Sequence, residues 1–144
     1  MIVKDVMRSK FLCISPKSSL RLAAEIMVRE GVETLFVVNG EQLVGAIGIR
    51  DLFTSPVPAS YGRPMQRQIE NTLIQKWDNA PVENLMTPYV LGVTEESPLM
   101  SAATLMINQG KHPLAVTKDQ KIVGIIDRID IVKYLLGLGA SASE

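Results

Sequence analysis

The chain contains the same sequence pattern twice, and this internal repeat constrains its fold more than any other feature. When the sequence is shifted so that Val3 meets Val82, residues 2–53 align with residues 81–132 without a gap. The identical pairs include Met7/Met86, Leu20/Leu99, Gly31/Gly110, Leu35/Leu114, Val44/Val123, Gly45/Gly124 and Asp51/Asp130. A gapless register over that length indicates a tandem duplication of one structural unit.

Each copy predicts the same order of secondary-structure elements, from hydrophobic periodicity, caps and turns. The elements predicted for the first copy are a strand at Leu12–Ile14, a helix from Ser18 or Ser19 to about Glu30 with Gly31 as its C-cap, strands at Leu35–Val38 and Leu43–Ile47, and a helix from about Arg50. Those predicted for the second copy are a strand at Leu91–Val93, a helix at about Pro98–Gln109, strands near Leu114–Thr117 and Ile122–Ile126, and a helix from about Arg128 to Leu136.

The predicted fold class is α+β (mixed α/β), built from two β-α-β-β-α repeats. One such repeat is too small to bury both faces of its sheet, so we expect the copies to pack through their sheets with pseudo-two-fold symmetry. We place repeat 1 at residues 1–60, a linker at 61–81, repeat 2 at 82–138 and a flexible tail at 139–144. Prolines and glycine make Thr54–Pro64 a loop. The segment Met65–Trp77 then predicts an amphipathic helix, which either docks on the module or contacts a partner or second subunit.

Composition excludes several classes of protein. The 144 residues include 15 basic and 15 acidic side chains. With this balance the chain lacks the strong positive electrostatic potential that attracts nucleic acid to non-specific binders. The single cysteine, Cys13, excludes an internal disulfide, and its apolar strand predicts an inert core position. No apolar run reaches the roughly 20 residues that span a bilayer, so we expect a cytoplasmic protein without a membrane contact.

Catalytic and metal sites are not predicted for this chain. The sequence shows no nucleophile–base pair, no metal-ligand spacing and no phosphate loop with its lysine. The one histidine, His112, cannot form a histidine cluster for zinc. We therefore expect neither catalytic residues nor a metal, and no required cofactor.

Three motifs in each copy resemble one known family. Asp5-Val6-Met7 and Asn84-Leu85-Met86 are similar to its V-x-D-V-M opening, and the segments 31–38 and 110–116 resemble its G-x-x-x-L-P-V-V strand entry. The segments 43–47 and 122–126 resemble its L-V-G-I-I strand. The family is that of the cystathionine-β-synthase (CBS) domain, and the pair resembles the tandem arrangement called a Bateman module.

This resemblance implies a regulatory binding module rather than an enzyme. CBS pairs typically bind adenosine-containing ligands such as AMP, ADP, ATP, adenosine or S-adenosylmethionine in clefts between the copies, and they usually form homodimers. In the family motif G-h-h-[S/T]-x-x-[D/N], the acidic residue bonds the ribose hydroxyls and the hydroxyl residue contacts phosphate. The N-terminus of the following helix adds a positive dipole for an anion.

Carried over to this chain, the motif is matched in part. Asp51 and Asp130 occupy the ribose position, but the hydroxyl position holds Gly48 in the first copy and Asp127 in the second. The carboxylate of Asp127 would repel a phosphate, so the resemblance favours ligands with less negative charge, such as adenosine or S-adenosylmethionine. Helix capping explains the same aspartates without a ligand, because acidic residues favour the first turn of a helix.

Further candidate ligand contacts follow from the same resemblance. Arg50 and Arg128 open the helices that face the clefts and can meet a phosphate, or they can be solvated surface charges. The remaining candidates at the rims of the clefts are Lys111, His112, Ile14 and Thr94.

Two functions therefore stay open at the level of sequence. The first is a module that senses an adenosine-type ligand and signals to an unidentified protein partner through repeat or dimer geometry. The second is a constitutive dimerisation or scaffold module with vestigial clefts, which the missing hydroxyl residues favour. Nucleic-acid binding is not expected, because the basic residues of the linker form only a thin cluster.

Overall fold

The structure is a computed structural model that describes residues 1–53, 63–88, 90 and 92–138. Most of the predicted loop before the linker helix, Leu91 and the predicted tail at 139–144 lie outside the described residues. The described chain contains four α-helices and six β-strands, which confirms the predicted mixed α/β class.

The elements follow the duplicated order. They are β1 Cys13–Ile14, α1 Leu20–Glu30, β2 Thr34–Asn39, β3 Gln42–Gly48, α2 Arg63–Asn79, β4 Gly92–Val93, α3 Leu99–Gln109, β5 Leu114–Lys118, β6 Lys121–Ile126 and α4 Arg128–Leu135. Three short 3-10 helices at Val3–Asp5, Ile49–Phe53 and Val82–Asn84 complete the description. The helix predicted from Arg50 is thus a 3-10 helix, whereas its counterpart in the second copy is the α-helix α4.

Local sequence signals fix both ends of α1 and the C-terminal end of α3. The Ser19 hydroxyl accepts a hydrogen bond from the Leu22 N–H, so Ser19 is the N-cap of α1. Gly31 and Gly110 end α1 and α3 in left-handed conformation, with φ of 65° and 61°. Glycine adopts this conformation without the steric cost that a Cβ brings, and the predicted C-cap at Gly31 is confirmed.

The chain forms two compact units that exchange short segments. The first unit comprises Cys13–Gly40 and Val44–Pro88, and the second comprises Met1–Leu12, Glu41–Leu43 and Tyr89–Glu144. We number the units by the copy whose helix α1 or α3 they contain. Each unit therefore includes the opening segment of the other copy, and a compact unit does not coincide with a sequence repeat.

The exchanged openings are fixed by equivalent hydrogen bonds. In the second unit, the Val3 N–H donates to the carbonyl of Ser97 at 2.9 Å, and in the first unit the Val82 N–H donates to the carbonyl of Ser18 at 2.7 Å. Both valine side chains are fully buried. Burial of a Val side chain stabilises a fold by about 1.5 kcal/mol or more, so the openings are part of the two cores.

Three strands follow the same order in each unit. In the first unit the strand order is β1-β2-β3, with β1 parallel to β2, and in the second it is β4-β5-β6, with β4 parallel to β5. The antiparallel pair β5–β6 places Leu114 opposite Ile126. Buried residues of this sheet join α3, α4 and the opening segment in one core, which contains Val3, Val6, Val93, Leu99, Ala102, Met106, Leu114, Val116, Ile126 and Ile131.

The glycine in the L-V-G-I-I pattern is explained by the close approach of the exchanged opening. A Cβ at Gly45 would lie 2.6 Å from Met86 Sδ and 2.8 Å from the Thr87 carbonyl oxygen. A Cβ at Gly124 would lie 2.9 Å from the Arg8 carbonyl oxygen. Only a residue without a side chain fits under these backbones, so both copies need glycine for one packing reason.

The linker helix α2 docks on the first unit. Arg21 of α1 forms an ion pair with Asp78 of α2, and the Trp77 indole N–H donates to the Leu52 carbonyl at 3.1 Å. The ring of Trp77 also meets Phe53 edge to face, with centroids 6.2 Å apart. These contacts agree with the first of the two predicted roles of the helix, docking on the module.

The expectation that Cys13 is a core residue is wrong. Cys13 is exposed, because β1 has two residues and only Ile14 faces the core. Partial burial of the thiol still raises its pKa above the ordinary value of 9.0.

Candidate functional site

The candidate site of the first unit is the junction between β3 and the 3-10 helix that follows it. The Asp51 carboxylate accepts a hydrogen bond from the Gly48 N–H at 2.7 Å. The Ile49 N–H donates to the Glu33 carbonyl at 2.8 Å and so anchors the junction to the start of β2. Asp51 is half-buried, and Arg50 beside it is exposed.

The candidate site of the second unit is the equivalent junction between β6 and α4. The Asp130 carboxylate accepts from the Asp127 N–H at 2.8 Å, and the Asp127 carboxylate accepts from the Arg128 N–H at 2.7 Å. These two aspartates form a capping box, in which the N-cap and the third helical residue satisfy each other's backbone donors. The capping role expected from sequence is therefore present at this junction.

The capping bond does not by itself exclude a ligand. One carboxylate has two oxygens and about four acceptor positions, and the bonds of Asp130 to Arg8 and to the Asp127 N–H both use Oδ2. Burial does differ between the copies, because Asp130 is 6% exposed whereas Asp51 is half-buried.

Sequence reasoning missed Arg8, which lies directly on the second junction. Its Nε donates to Asp130 Oδ2 at 3.1 Å, and the two residues are 122 positions apart in the chain. The Arg8 main chain also exchanges two hydrogen bonds of 2.9 Å with Ile125 in β6. The sequence contained one indication of such a contact, because an aspartate in an apolar core requires a charged or polar partner. It did not show which residue is that partner.

The equivalent position in the first unit holds Thr87. Its main chain exchanges hydrogen bonds with Ala46 at 2.8 and 3.0 Å, which reproduces the pairing of Arg8 with Ile125. The backbone geometry is therefore kept in both copies, while the side chain at this position changes from a cation to a short neutral group.

His112 and Asp127 lie close together in the second unit. His112 Nδ1 is 3.6 Å from Asp127 Oδ1, and the two side chains are 39% and 27% exposed. The neighbouring Lys111 is exposed.

The remaining predicted contacts lie on other strands of the two sheets. The Ile14 side chain is buried opposite Val37 of β2, so a ligand could reach only its backbone. Thr94 follows β4 and bonds Ser97, through its N–H at 3.0 Å and its hydroxyl at 3.1 Å. The structure thus brings His112 close to Asp127, which shares a capping box with Asp130. Thr94 follows β4, which pairs with the other edge of β5 and not with β6.

Metal-binding clusters and membrane-spanning helices are both absent from the part of the chain that the structure describes. Those residues contain no group of three or more His, Cys, Asp or Glu side chains that could hold a metal ion. Among the same residues, no helix is both long and apolar enough to cross a membrane.

Comparison with known proteins identifies the family. The CBS domain model matches residues 3–57 and 82–137, which is most of the chain. The crystal structure of the CBS-pair protein CBSX2 from Arabidopsis thaliana is 28% identical, covers 95% of both chains and superposes with a TM-score of 0.79. A structure of CBSX2 in complex with AMP is also 28% identical, with a TM-score of 0.73 and coverage of 95% and 97%.

Curated relatives are of several lengths. An A-adding tRNA nucleotidyltransferase from Geobacter sulfurreducens is 23% identical over 91% of this chain, which spans only 13% of that enzyme. An uncharacterized 17.7 kDa protein from Acidianus ambivalens is 28% identical over 93% of this chain and 73% of its own length. The two alignments cover 91% and 93% of this chain and therefore include both copies described above. The chain therefore belongs to the CBS domain family and carries two CBS domains in tandem.

Proposed function

We propose that this chain is a non-catalytic regulatory module that binds an adenosine-containing ligand. The observation that supports this most strongly is the aspartate that both junctions keep at the ribose position of the motif. A 28% identical CBS pair carries AMP, which supports an adenosine nucleotide as the ligand class. The coarser statement, a CBS module of the regulatory type, rests on the family match.

The contacts proposed for the ligand follow from the junction geometry. The carboxylate of Asp51 would accept hydrogen bonds from ribose hydroxyls, because an ionised carboxylate offers several acceptor positions. Arg50 is exposed next to it and would meet a phosphate by a charge-assisted hydrogen bond. In the second unit the same roles would fall to Asp130 and Arg128.

Charge sets the preference among adenosine ligands. The Asp127 side chain stands where the family motif has a hydroxyl, and like charges repel at contact distance. We therefore expect the second unit to prefer adenosine or cationic S-adenosylmethionine over ATP.

A ligand signal also needs a change that a partner can detect. The ligand must bind one arrangement of the chain more tightly than another, since otherwise it shifts no equilibrium. We propose that the ligand changes how the two repeats, or the two chains of a homodimer, are arranged. A second protein would respond to this change. We also propose that the module works in the cytoplasm.

Calorimetric titration tests the proposal. The nucleotide-stripped chain is titrated with adenosine, AMP, ADP, ATP and S-adenosylmethionine, beside Asp51→Asn and the control Asp119→Asn in the exposed β5–β6 turn. We expect wild type to bind with micromolar affinity. Asp51→Asn should weaken this binding about tenfold or more, because charge-assisted hydrogen bonds are lost. Asp119→Asn should leave the affinity unchanged. Equal affinity for ATP and adenosine without a divalent metal would contradict the charge preference.

The alternative is a scaffold module whose ligand contacts are vestigial. It is favoured by the capping bonds, which give Asp51 and Asp130 a structural role at both junctions. Calorimetry that detects no binding heat with any ligand, together with sedimentation that shows a folded dimer, would favour the scaffold function over ligand sensing.

A further inference from the structure

We infer that Arg8 sets the ribose specificity of the second unit, because it leaves Asp130 a single carboxylate oxygen for the ligand. This inference rests on the proposed function and concerns how the second unit would hold a ribose. The contact that supports it is the ion pair between Arg8 Nε and Asp130 Oδ2, at a distance of 3.1 Å.

The acceptor positions of Asp130 Oδ2 are both occupied. Each oxygen of a carboxylate has about two such positions. On Oδ2, one accepts from Arg8 Nε at 3.1 Å and the other accepts from the Asp127 N–H at 2.8 Å. The fold holds both donors in place, since the Arg8 main chain pairs with Ile125 and Asp127 is the N-cap of α4. A ribose hydroxyl therefore finds no position left on Oδ2.

The other oxygen of Asp130, Oδ1, is available. Among the residues that the structure describes, no donor forms a hydrogen bond with it. The Asp130 side chain is only 6% exposed, yet in the described part of the chain no side-chain oxygen that is shielded from solvent lacks a partner. Oδ1 therefore retains contact with solvent, and a ligand hydroxyl would bond to this oxygen.

This difference between the two oxygens limits how a ribose can bind. Adenosine carries neighbouring hydroxyls at C2′ and C3′, and an unoccupied carboxylate can accept one of them on each oxygen. To reach Oδ2, a neutral hydroxyl would have to replace the charge-assisted hydrogen bond of Arg8, which is roughly twice as strong. We therefore expect the second unit to bind adenosine through one ribose hydroxyl. The preference for ligands with little negative charge, which Asp127 sets, is unaffected.

Two substitutions separate the hydrogen bond of Arg8 from its charge. Arg8→Gln removes the charge but keeps an N–H donor at the same number of bonds from the backbone as Nε. Arg8→Met removes both the donor and the charge. Lys10→Gln is the matched control, since it removes a positive charge from an exposed residue two positions away.

Calorimetry with three ligands tests the inference. All variants carry Asp51→Asn, which weakens binding by the first unit, and each is titrated with adenosine, 2′-deoxyadenosine and 3′-deoxyadenosine. Wild type without Asp51→Asn is titrated in parallel with these ligands and with AMP, ADP, ATP and S-adenosylmethionine. Thermal unfolding checks that each variant is folded.

With Arg8 present, one deoxy analogue should bind about tenfold more weakly than adenosine, and the other should bind within about twofold of it. Arg8→Gln and Lys10→Gln should keep this pattern. In Arg8→Met the second hydroxyl can bond to Oδ2, so both analogues should bind about tenfold more weakly than adenosine. A purely structural role of Arg8 would change all three affinities by the same factor. The comparison of analogues with Arg8 present remains informative if Arg8→Met fails to fold.

Three results would overturn the inference. Equal losses for the two analogues with Arg8 present would show that Asp130 does not bind a single hydroxyl. The same pattern in folded Arg8→Met as in Arg8→Gln would show that the donor is irrelevant. If adenosine binds wild type but not the Asp51→Asn chain, the second unit holds no ribose, while the proposed function stands through the first unit. The absence of heat in wild type with every ligand would end the proposed function itself.

Discussion

The two strand–helix junctions share one backbone and differ in the side chains placed on it. In both, an aspartate carboxylate accepts a hydrogen bond from a backbone N–H at the end of the preceding strand. The bond is 2.7 Å long for Asp51 and 2.8 Å long for Asp130. The first junction continues into a 3-10 helix and the second into the α-helix α4. An aspartate N-cap, Asp127, stabilises the second helix better than Gly48 stabilises the first. Duplication thus preserves the main-chain bonds and leaves the charges free to diverge.

This difference suggests a division of labour between the copies. The second junction gains structural bonds from Asp127 and Arg8, and its aspartate is buried. The first junction has Gly48 and Thr87 at the two matching positions, and its aspartate is half-buried. We expect stability to depend more on the second junction and ligand binding more on the first.

The largest expected effect is the loss of Asp130. Asp130→Ala removes the ion pair to Arg8 and one half of the capping box, so it should lower the free energy of unfolding by about 3 kcal/mol. Asp51→Ala removes the carboxylate that accepts the Gly48 N–H at a half-buried position, and it should lower the free energy of unfolding less than Asp130→Ala does. Urea unfolding followed by circular dichroism measures both changes, and equal losses would contradict the proposed difference between the junctions.

The next effect tests the exchanged openings. Gly45→Ala and Gly124→Ala each place a Cβ within 3.0 Å of the opposite opening segment, and such overpacking should cost about 1 to 3 kcal/mol. The loss should be larger at Gly45, where the backbone oxygen and the Met86 sulfur are both closer. Gly40→Ser in the first hairpin is a useful contrast, because a Cβ there meets no atom within 4 Å. Any loss of stability in this variant comes from the positive φ of residue 40 and not from a steric clash. A larger loss of unfolding free energy in Gly124→Ala than in Gly45→Ala would contradict this order.

A third prediction concerns the missing hydroxyl of the motif. A Cβ at Gly48 would meet only the Glu33 carbonyl at 3.6 Å and Asp51 Oδ2 at 3.8 Å, so Gly48→Thr should fold normally. If the first unit binds the ligand, the new hydroxyl should strengthen AMP binding on the order of tenfold, since hydrogen bonds to charged groups contribute about 1.5 kcal/mol or more. Adenosine, which lacks the phosphate, should gain nothing, and calorimetry with both ligands distinguishes the two cases.

The smallest expected effect is the acid dependence of the first unit. Arg21 lowers the pKa of Asp78 below its ordinary value of 3.8 by a side-chain hydrogen bond and by its charge. A depressed folded-state pKa stabilises the fold above the ordinary pKa, and this contribution disappears as pH falls through the folded-state pKa. Asp78→Asn should therefore be less stable than wild type at neutral pH and equal to it at the acid end. The second copy has Met100 in place of Arg21 and lacks this pair.

Urea unfolding at a series of pH values from neutral down to below the ordinary pKa of 3.8 measures this dependence. Both side chains are exposed to solvent, so the difference between variant and wild type should be small throughout. A stability difference that grew as the pH fell would contradict the expected direction.

Much of the fold could be predicted because its signals are local. Ser19 and Gly31 bound α1, the first hairpin follows from two apolar runs on either side of the polar turn Asn39-Gly40-Glu41, and the duplication itself shows which elements correspond. The 3-10 helix at Ile49–Phe53 could not be distinguished from an α-helix, because one turn of either type carries the same apolar spacing. The exposure of Cys13 was also missed, since a two-residue strand gives no alternation to read.

The sequence by itself determined the tandem repeat, the order of elements, the family resemblance and the two aspartates at the junctions. All of these depend on neighbouring residues or on the comparison of one copy with the other. Only the tertiary structure decided that each opening joins the unit of the opposite copy, and that Arg8 meets Asp130 across 122 positions of chain. The physical reason is that a buried charge requires a partner, while periodicity and spacing describe the chain only over a few turns.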